Sequence, residues 1–222
     1  MCLAFFQPFG FLPSISCSAV FVVDRSCGRV VPMLALTLAL QKLPYFGTYD
    51  VQDAHARTVL GWSSQQLSFY RTAEGVTDFM QGALASFTVS TLGPLWGTAT
   101  GCLASGVAFV LQALSHPGAR WRRGLMYVGV GLLSFPPEAV PEALLVNAAA
   151  AAGVGKGRLM ADASNVAALM KMCGPSFLGS FYFWGKNNNI PQAWGVAACG
   201  SYVGALLIFL LSGARSLRLV LN

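Results

Sequence analysis

Long apolar runs separated by short polar turns dominate the chain. Uncharged runs cover 1–23, 79–115, 143–155 and 187–214, and several reach the roughly 20 residues a helix needs to cross a bilayer core. Run length and flanking charge predict spans at about 3–23, 30–48, 63–90, 92–114, 122–151, 158–184 and 191–212. The expected fold class is all-α, a polytopic helical membrane bundle of about six to seven transmembrane helices. Turn chemistry fills the connectors Asp24-Arg25-Ser26-Cys27-Gly28-Arg29, Ser115-His116-Pro117-Gly118 and Gly153-Val154-Gly155-Lys156-Gly157. Lys186 to Pro191 forms another polar turn, with the proline placed to start the last helix. Tyr49 to Gln66, the longest polar stretch, reads as a loop, so no soluble domain is expected.

The pattern divides the chain into residues 1–29, a membrane helix with an Asp-Arg loop, residues 30–214, a six-helix bundle, and a basic tail at 215–222. No basic residue precedes the first apolar run, and Pro8 and Pro13 interrupt it. A retained helix or half-helix is therefore expected there, not a signal peptide. Leu92-Gly93-Pro94-Leu95-Trp96-Gly97 and Cys173-Gly174-Pro175-Ser176-Phe177-Leu178-Gly179 echo one another, and two readings stay open: an internal repeat of the transporter kind, or the coincidence of two Gly-Pro pairs in a glycine-rich chain.

Composition strengthens the membrane reading. Only 10% of the 222 residues are charged and 55% are hydrophobic, with mean hydropathy +0.59; soluble domains carry about 25% charge. The lipid bilayer is thus the first expected partner. Net charge is +6, but the one tight basic cluster is Arg120, Arg122 and Arg123 around Trp121. Between two apolar runs it reads as an interfacial anchor, and no nucleic acid is expected. The six cysteines form no CxxC pair, and His55 and His116 stand alone, so neither a metal site, a cofactor nor a disulfide framework is expected.

Candidate chemistry lies in charges within the spans, each costing several kcal/mol unless paired or hydrated. Arg71, Glu74, Asp78 and Gln81 share one helical face with Ser68, Gly75 and Gly82, while Phe69, Val76, Met80 and Ala83 lie opposite. Arg71 can pair with Glu74 one turn on, leaving Asp78 for a proton or cation. Two readings stay open: a stripe facing a water-filled cavity, or an amphipathic segment at the interface. In the 158–184 helix, Lys171 stands about 20 Å beyond Arg158, near mid-membrane. Its expected partner is Asp78 or Glu74. Asn165 and Asp162 lie nearer the start, where Asp162 reads as a cap or loop anchor. Glu138 and Glu142, after Pro136-Pro137, read as a helix start. No nucleophile–base set or phosphate loop appears, so no enzyme is expected.

From about residue 40 onward the chain resembles the C-terminal half of a major facilitator superfamily transporter, in its tetracycline-efflux-like and hippocampus-abundant-transcript-like branch. Leu60-Gly61-Trp62-Ser63-Ser64-Gln65-Gln66-Leu67-Ser68-Phe69 resembles the loop entering helix eight. Gly155-Lys156-Gly157-Arg158 through Gly174-Pro175 and Gly179 resembles helix eleven, and the last span resembles helix twelve. Asp24 to Arg29 is similar to the family's Asp-Arg-x-Gly-Arg signature, with one extra residue and in a position matching neither of the family's loops.

The resemblance implies movement of a small organic solute by alternating access, with a carboxylate coupling to protons. Arg71, Glu74, Asp78, Gln81, Asn165 and Lys171 would line the path, and Gly93, Pro94, Gly174 and Pro175 would shape the helices. It implies a cytoplasmic C-terminus. It also implies a second half-bundle, from a homodimer or a missing N-terminal half, because the family encloses solute between two halves. The alternative is a non-transporting membrane subunit or truncated product retaining the half-fold.

Overall fold

A computed structural model describes residues 30–118, 120–135, 137–151, 153 and 155–220. The expectations for the first apolar run and the Asp24–Arg29 turn lie outside these residues. Six helices make up the described chain: α1 (Val30–Thr58), α2 (Ser64–Ala113), α3 (Arg120–Leu132), α4 (Ala139–Ala151), α5 (Lys156–Asn187) and α6 (Ala193–Val220). There is no strand among the described residues, which are all-α.

The 63–90 and 92–114 runs join as α2, which starts on a reciprocal capping box. The Ser63 amide donates to Gln66 Oε1 (2.9 Å) and the Gln66 amide to Ser63 Oγ (3.3 Å). At Gly93 the backbone leaves the helical region (φ 76, ψ 168), a conformation that only glycine adopts freely. The chain doubles back there. Nine residues of straight helix would separate residues 88 and 97 by about 13.5 Å, yet a Cβ on Gly97 would lie 3.7 Å from Thr88 Cγ2. Arms 64–92 and 94–113 therefore run side by side as a hairpin.

Two differences from the sequence pattern matter for function. Tyr49 to Thr58 is helix, not loop, because its polar side chains find partners on α2. The 122–151 run is broken into α3 and α4, with turn and bend geometry at 133–135 and 137–138. Each piece has 13 residues, about 20 Å of helix.

α1 runs through the centre of the bundle and packs chiefly on α5 and α6, while α6 also packs on α2. Small residues permit these crossings. A Cβ on Gly47 of α1 would lie 2.5 Å from the Gly174 carbonyl oxygen of α5, and one on Gly195 would lie 2.6 Å from the Phe109 carbonyl oxygen. The central core contains Val51, Cys102, Phe109, Leu178, Trp194 and Tyr202. Outside it, large apolar side chains face outward, among them Phe79 (80% exposed), Met172 (72%) and Trp96 (68%). Among the described residues, two helices, Ser64–Ala113 and Ala193–Ser212, are long and apolar enough to cross a membrane.

Candidate functional site

The polar groups of the bundle meet along a seam between α1 and the first arm of α2. α1 contributes Gln41, Lys42, Tyr45, Tyr49, Gln52 and Asp53, spaced at helical intervals along the helix. The α2 arm contributes Arg71, Glu74, Asp78 and Gln81.

Arg71 is the anchor. Its guanidinium donates to the Tyr49 carbonyl oxygen (2.8 Å) and to Gln52 Oε1 (3.2 Å), and it pairs with both Asp53 and Glu74. The charge also lies over the rings of Tyr49 (4.9 Å) and Tyr70 (5.6 Å), a favourable cation–π arrangement. Glu74 is only 7% exposed, and its pairing with Arg71 offsets the cost of burying a carboxylate. Behind Gln52, its Nε2 donates to Gln112 Oε1 (2.8 Å), tying the second arm of α2 to the network.

The second layer surrounds the break between α3 and α4. Gln81 Nε2 donates to the Leu133 carbonyl oxygen (2.8 Å), and Gln41 Nε2 to the Pro137 carbonyl oxygen (3.1 Å). Side-chain amides from two other helices thus satisfy carbonyls that the interrupted helix leaves without an internal partner. Lys42 pairs with Glu138 at the same break. Glu138 immediately precedes α4, its carbonyl accepting from the Glu142 amide (3.0 Å). Asp78 faces the Tyr45 hydroxyl at 3.5 Å, and no cation pairs with it among the described residues. Gln41, Asp78, Gln81 and the break each lie near the middle of their helical segment, so they share one level of the bundle.

Arg71 and Lys42 are the two cations of the seam, facing the four carboxylates Asp53, Glu74, Asp78 and Glu138. The surplus is negative, which favours uptake of a proton or small cation. A space of about 20 Å³ opens among Tyr45, Tyr49, Glu74, Asp78 and Gln81, enough for one water molecule.

Arg71, Glu74, Asp78 and Gln81 therefore come together. Asn165 and Lys171 do not join them, since both are exposed on α5. Lys171 Nζ lies 4.9 Å from the Phe46 ring centroid and pairs with neither Asp78 nor Glu74. The Gly47–Gly174 crossing fixes how α5 sits on α1 and leaves Lys171 on the outer flank. Gly93-Pro94 forms the corner of the α2 hairpin, whereas Gly174-Pro175 lies inside α5 at the crossing. Asp162 instead lines a larger, mostly apolar pocket of about 280 Å³ between α1, α4 and α5, with Lys42 and Glu142. Sequence reasoning missed the α1 half of the seam. The spacing of Gln41, Tyr45, Tyr49, Gln52 and Asp53 carries that signal. No group of three or more His, Cys, Asp or Glu among the described residues is arranged to hold a metal ion.

Comparison with known proteins finds no matching family model, and no match among curated proteins or solved structures.

Proposed function

We propose that the chain is a multi-pass membrane transporter that moves a small organic solute by alternating access, with a proton carried at Asp78. Residues 30–214 make six crossings: α1, the two arms of α2, α3 with α4 as one interrupted span, α5 and α6. The outward aromatic and aliphatic side chains support a lipid environment.

One observation carries the reading: the break between α3 and α4 at mid-bundle, with its carbonyls taken by Gln41 and Gln81 and carboxylates on either side. Non-helical backbone at membrane depth occurs where protein or a cavity surrounds it, and interrupted helices at the midplane are how secondary transporters build solute and ion sites. The pocket between α1, α4 and α5 adjoins this break through Lys42 and, at about 280 Å³, is near the lower limit for small-molecule sites. A half-bundle of the major facilitator type accommodates these features, and a second copy or a preceding half supplies the facing wall.

A second reading, a non-transporting membrane subunit, is favoured by the tightness of the Arg71 cluster. Its space of about 20 Å³ admits no organic solute, and Tyr49, Gln52, Asp53 and Glu74 together hold Arg71 in place.

The two readings separate in sealed membrane vesicles under an imposed pH gradient, assayed with a panel of radiolabelled organic solutes. A transporter accumulates at least one solute with proton movement, and Asp78→Asn abolishes both while the protein still folds. Absence of accumulation for all solutes by the folded wild type, or unchanged uptake by Asp78→Asn, favours the subunit.

A further inference from the structure

Away from the seam, a pocket of about 340 Å³ opens at the end of the bundle where α1 and α2 finish and α3 and α6 begin. Val59, Leu111 and Leu125 give it an apolar wall, His116 and Arg122 give it a basic edge, and His55 lines its floor. No carboxylate lines it among the described residues. Trp121, 66% exposed, lies at its mouth with the Arg122 guanidinium 5.2 Å from its ring centroid. Tryptophan beside arginine at a helix end is the composition of a membrane–water interface.

His55 adds a second, independent feature. The side chain is 1% exposed. Its Nε2 faces Ser115 Oγ at 3.0 Å and the Ser115 carbonyl oxygen at 3.3 Å. The carbonyl only accepts, and the Ser115 hydroxyl already donates its proton to the Gln112 carbonyl oxygen at 2.6 Å. Nε2 must therefore carry the hydrogen, leaving Nδ1 a bare acceptor. That Nδ1 is buried and has no hydrogen-bond partner among the described residues. Trp194, with its ring centroid 5.9 Å from that of His55, has an equally unpartnered Nε1–H. Of the two, His55 lines the pocket and Trp194 does not, so a hydroxyl in the pocket can donate only to the first.

The geometry points to a binding site for the headgroup of an anionic, hydroxyl-bearing phospholipid in this pocket. Its phosphate meets Arg122 and His116, its hydroxyl reaches toward His55, and its acyl chain lies along the leucine wall. Basic pockets between membrane helices hold lipid headgroups in this way. The site is independent of whether the bundle transports, because none of these residues belongs to the seam.

The test uses the purified full chain in detergent, with thermal unfolding followed on addition of short-chain phosphatidylglycerol, short-chain phosphatidylcholine or inorganic phosphate. Phosphatidylglycerol is expected to raise the unfolding temperature well beyond the other two. Arg122→Gln is expected to weaken its binding about ten-fold, the loss of one charge-assisted contact. Arg123→Gln is expected to bind as wild type, since Arg123 donates to the Pro117 carbonyl oxygen and does not line the pocket. Equal stabilisation by phosphatidylcholine or by free phosphate overturns the assignment, as does unchanged phosphatidylglycerol binding by Arg122→Gln. Should Arg122→Gln not fold, the comparison of the three ligands on the wild-type protein decides alone.

Discussion

Gly47 of α1 and Gly174 of α5 meet backbone against backbone. A Cβ on Gly47 would stand 2.5 Å from the Gly174 carbonyl oxygen, and one on Gly174 would stand 2.9 Å from the Leu43 carbonyl oxygen. Neither side has a flexible side chain to move aside. Gly47→Ala or Gly174→Ala should therefore destabilise by about 3 kcal/mol, the upper end of overpacking costs. Thermal unfolding in detergent measures this. Gly75→Ala is the control: its Cβ meets nothing within 4 Å, and replacing a helical glycine should stabilise by about 0.5–1 kcal/mol.

Gly93 acts through conformation instead. A Cβ there meets nothing within 4 Å, but φ is +76°. Gly93→Ala should cost about 1–3 kcal/mol through backbone strain alone. The hairpin itself predicts that Thr88→Cys with Gly97→Cys, in a cysteine-free background, crosslinks rapidly under mild oxidation. A straight α2 would hold the two thiols too far apart to react.

Gln81→Leu and Gln41→Leu should each cost about 1–3 kcal/mol, because a carbonyl at the α3–α4 break loses its donor. Both act on the same break, so the double variant should depart from additivity. A thermal-unfolding double-mutant cycle reads the coupling, and strict additivity would mean the two amides hold the break independently.

Glu74 and Asp78 should behave differently despite lying one turn apart. Glu74→Gln removes one of the two carboxylates on Arg71 and should destabilise by about 1–3 kcal/mol, as loss of a charged hydrogen bond does. Asp78→Asn, with only a 3.5 Å contact to the Tyr45 hydroxyl, should change stability by less than about 0.5 kcal/mol. Its effect should fall on proton-linked movement. Unfolding temperatures and vesicle uptake, measured on both variants, test the contrast.

The all-α class and the places of the main helices were legible because apolar run length is a local property. The Arg71–Glu74 pair was equally legible, being one turn apart on a single helix. The α1 half of the seam was not, since Tyr49 to Thr58 looks like a loop until Arg71, Gln112 and Ser115 supply partners from distant sequence. The helix start after Glu138 was readable, but the break that precedes it in the 122–151 run shows only with Gln41 and Gln81 in place. The two Gly-Pro pairs look alike as sequence. In the fold one is a corner at positive φ and the other a close crossing, a difference set by neighbours and not by the motif. Lys171 misled for the same reason: the Gly47–Gly174 crossing turns it toward Phe46 and away from Asp78 and Glu74.

Alternating access is tested most directly without any substrate, by placing a thiol at the centre of the seam. Thr77→Cys, which lines the same small space beside Asp78 and leaves that carboxylate intact, in a cysteine-free background and in sealed vesicles of known orientation, would be exposed to a membrane-impermeant maleimide added first outside and then inside. A seam that opens alternately predicts modification from both sides, with the slower side set by the less populated state. Modification from one side only, or from neither, in a folded protein would contradict transport and leave a static membrane subunit.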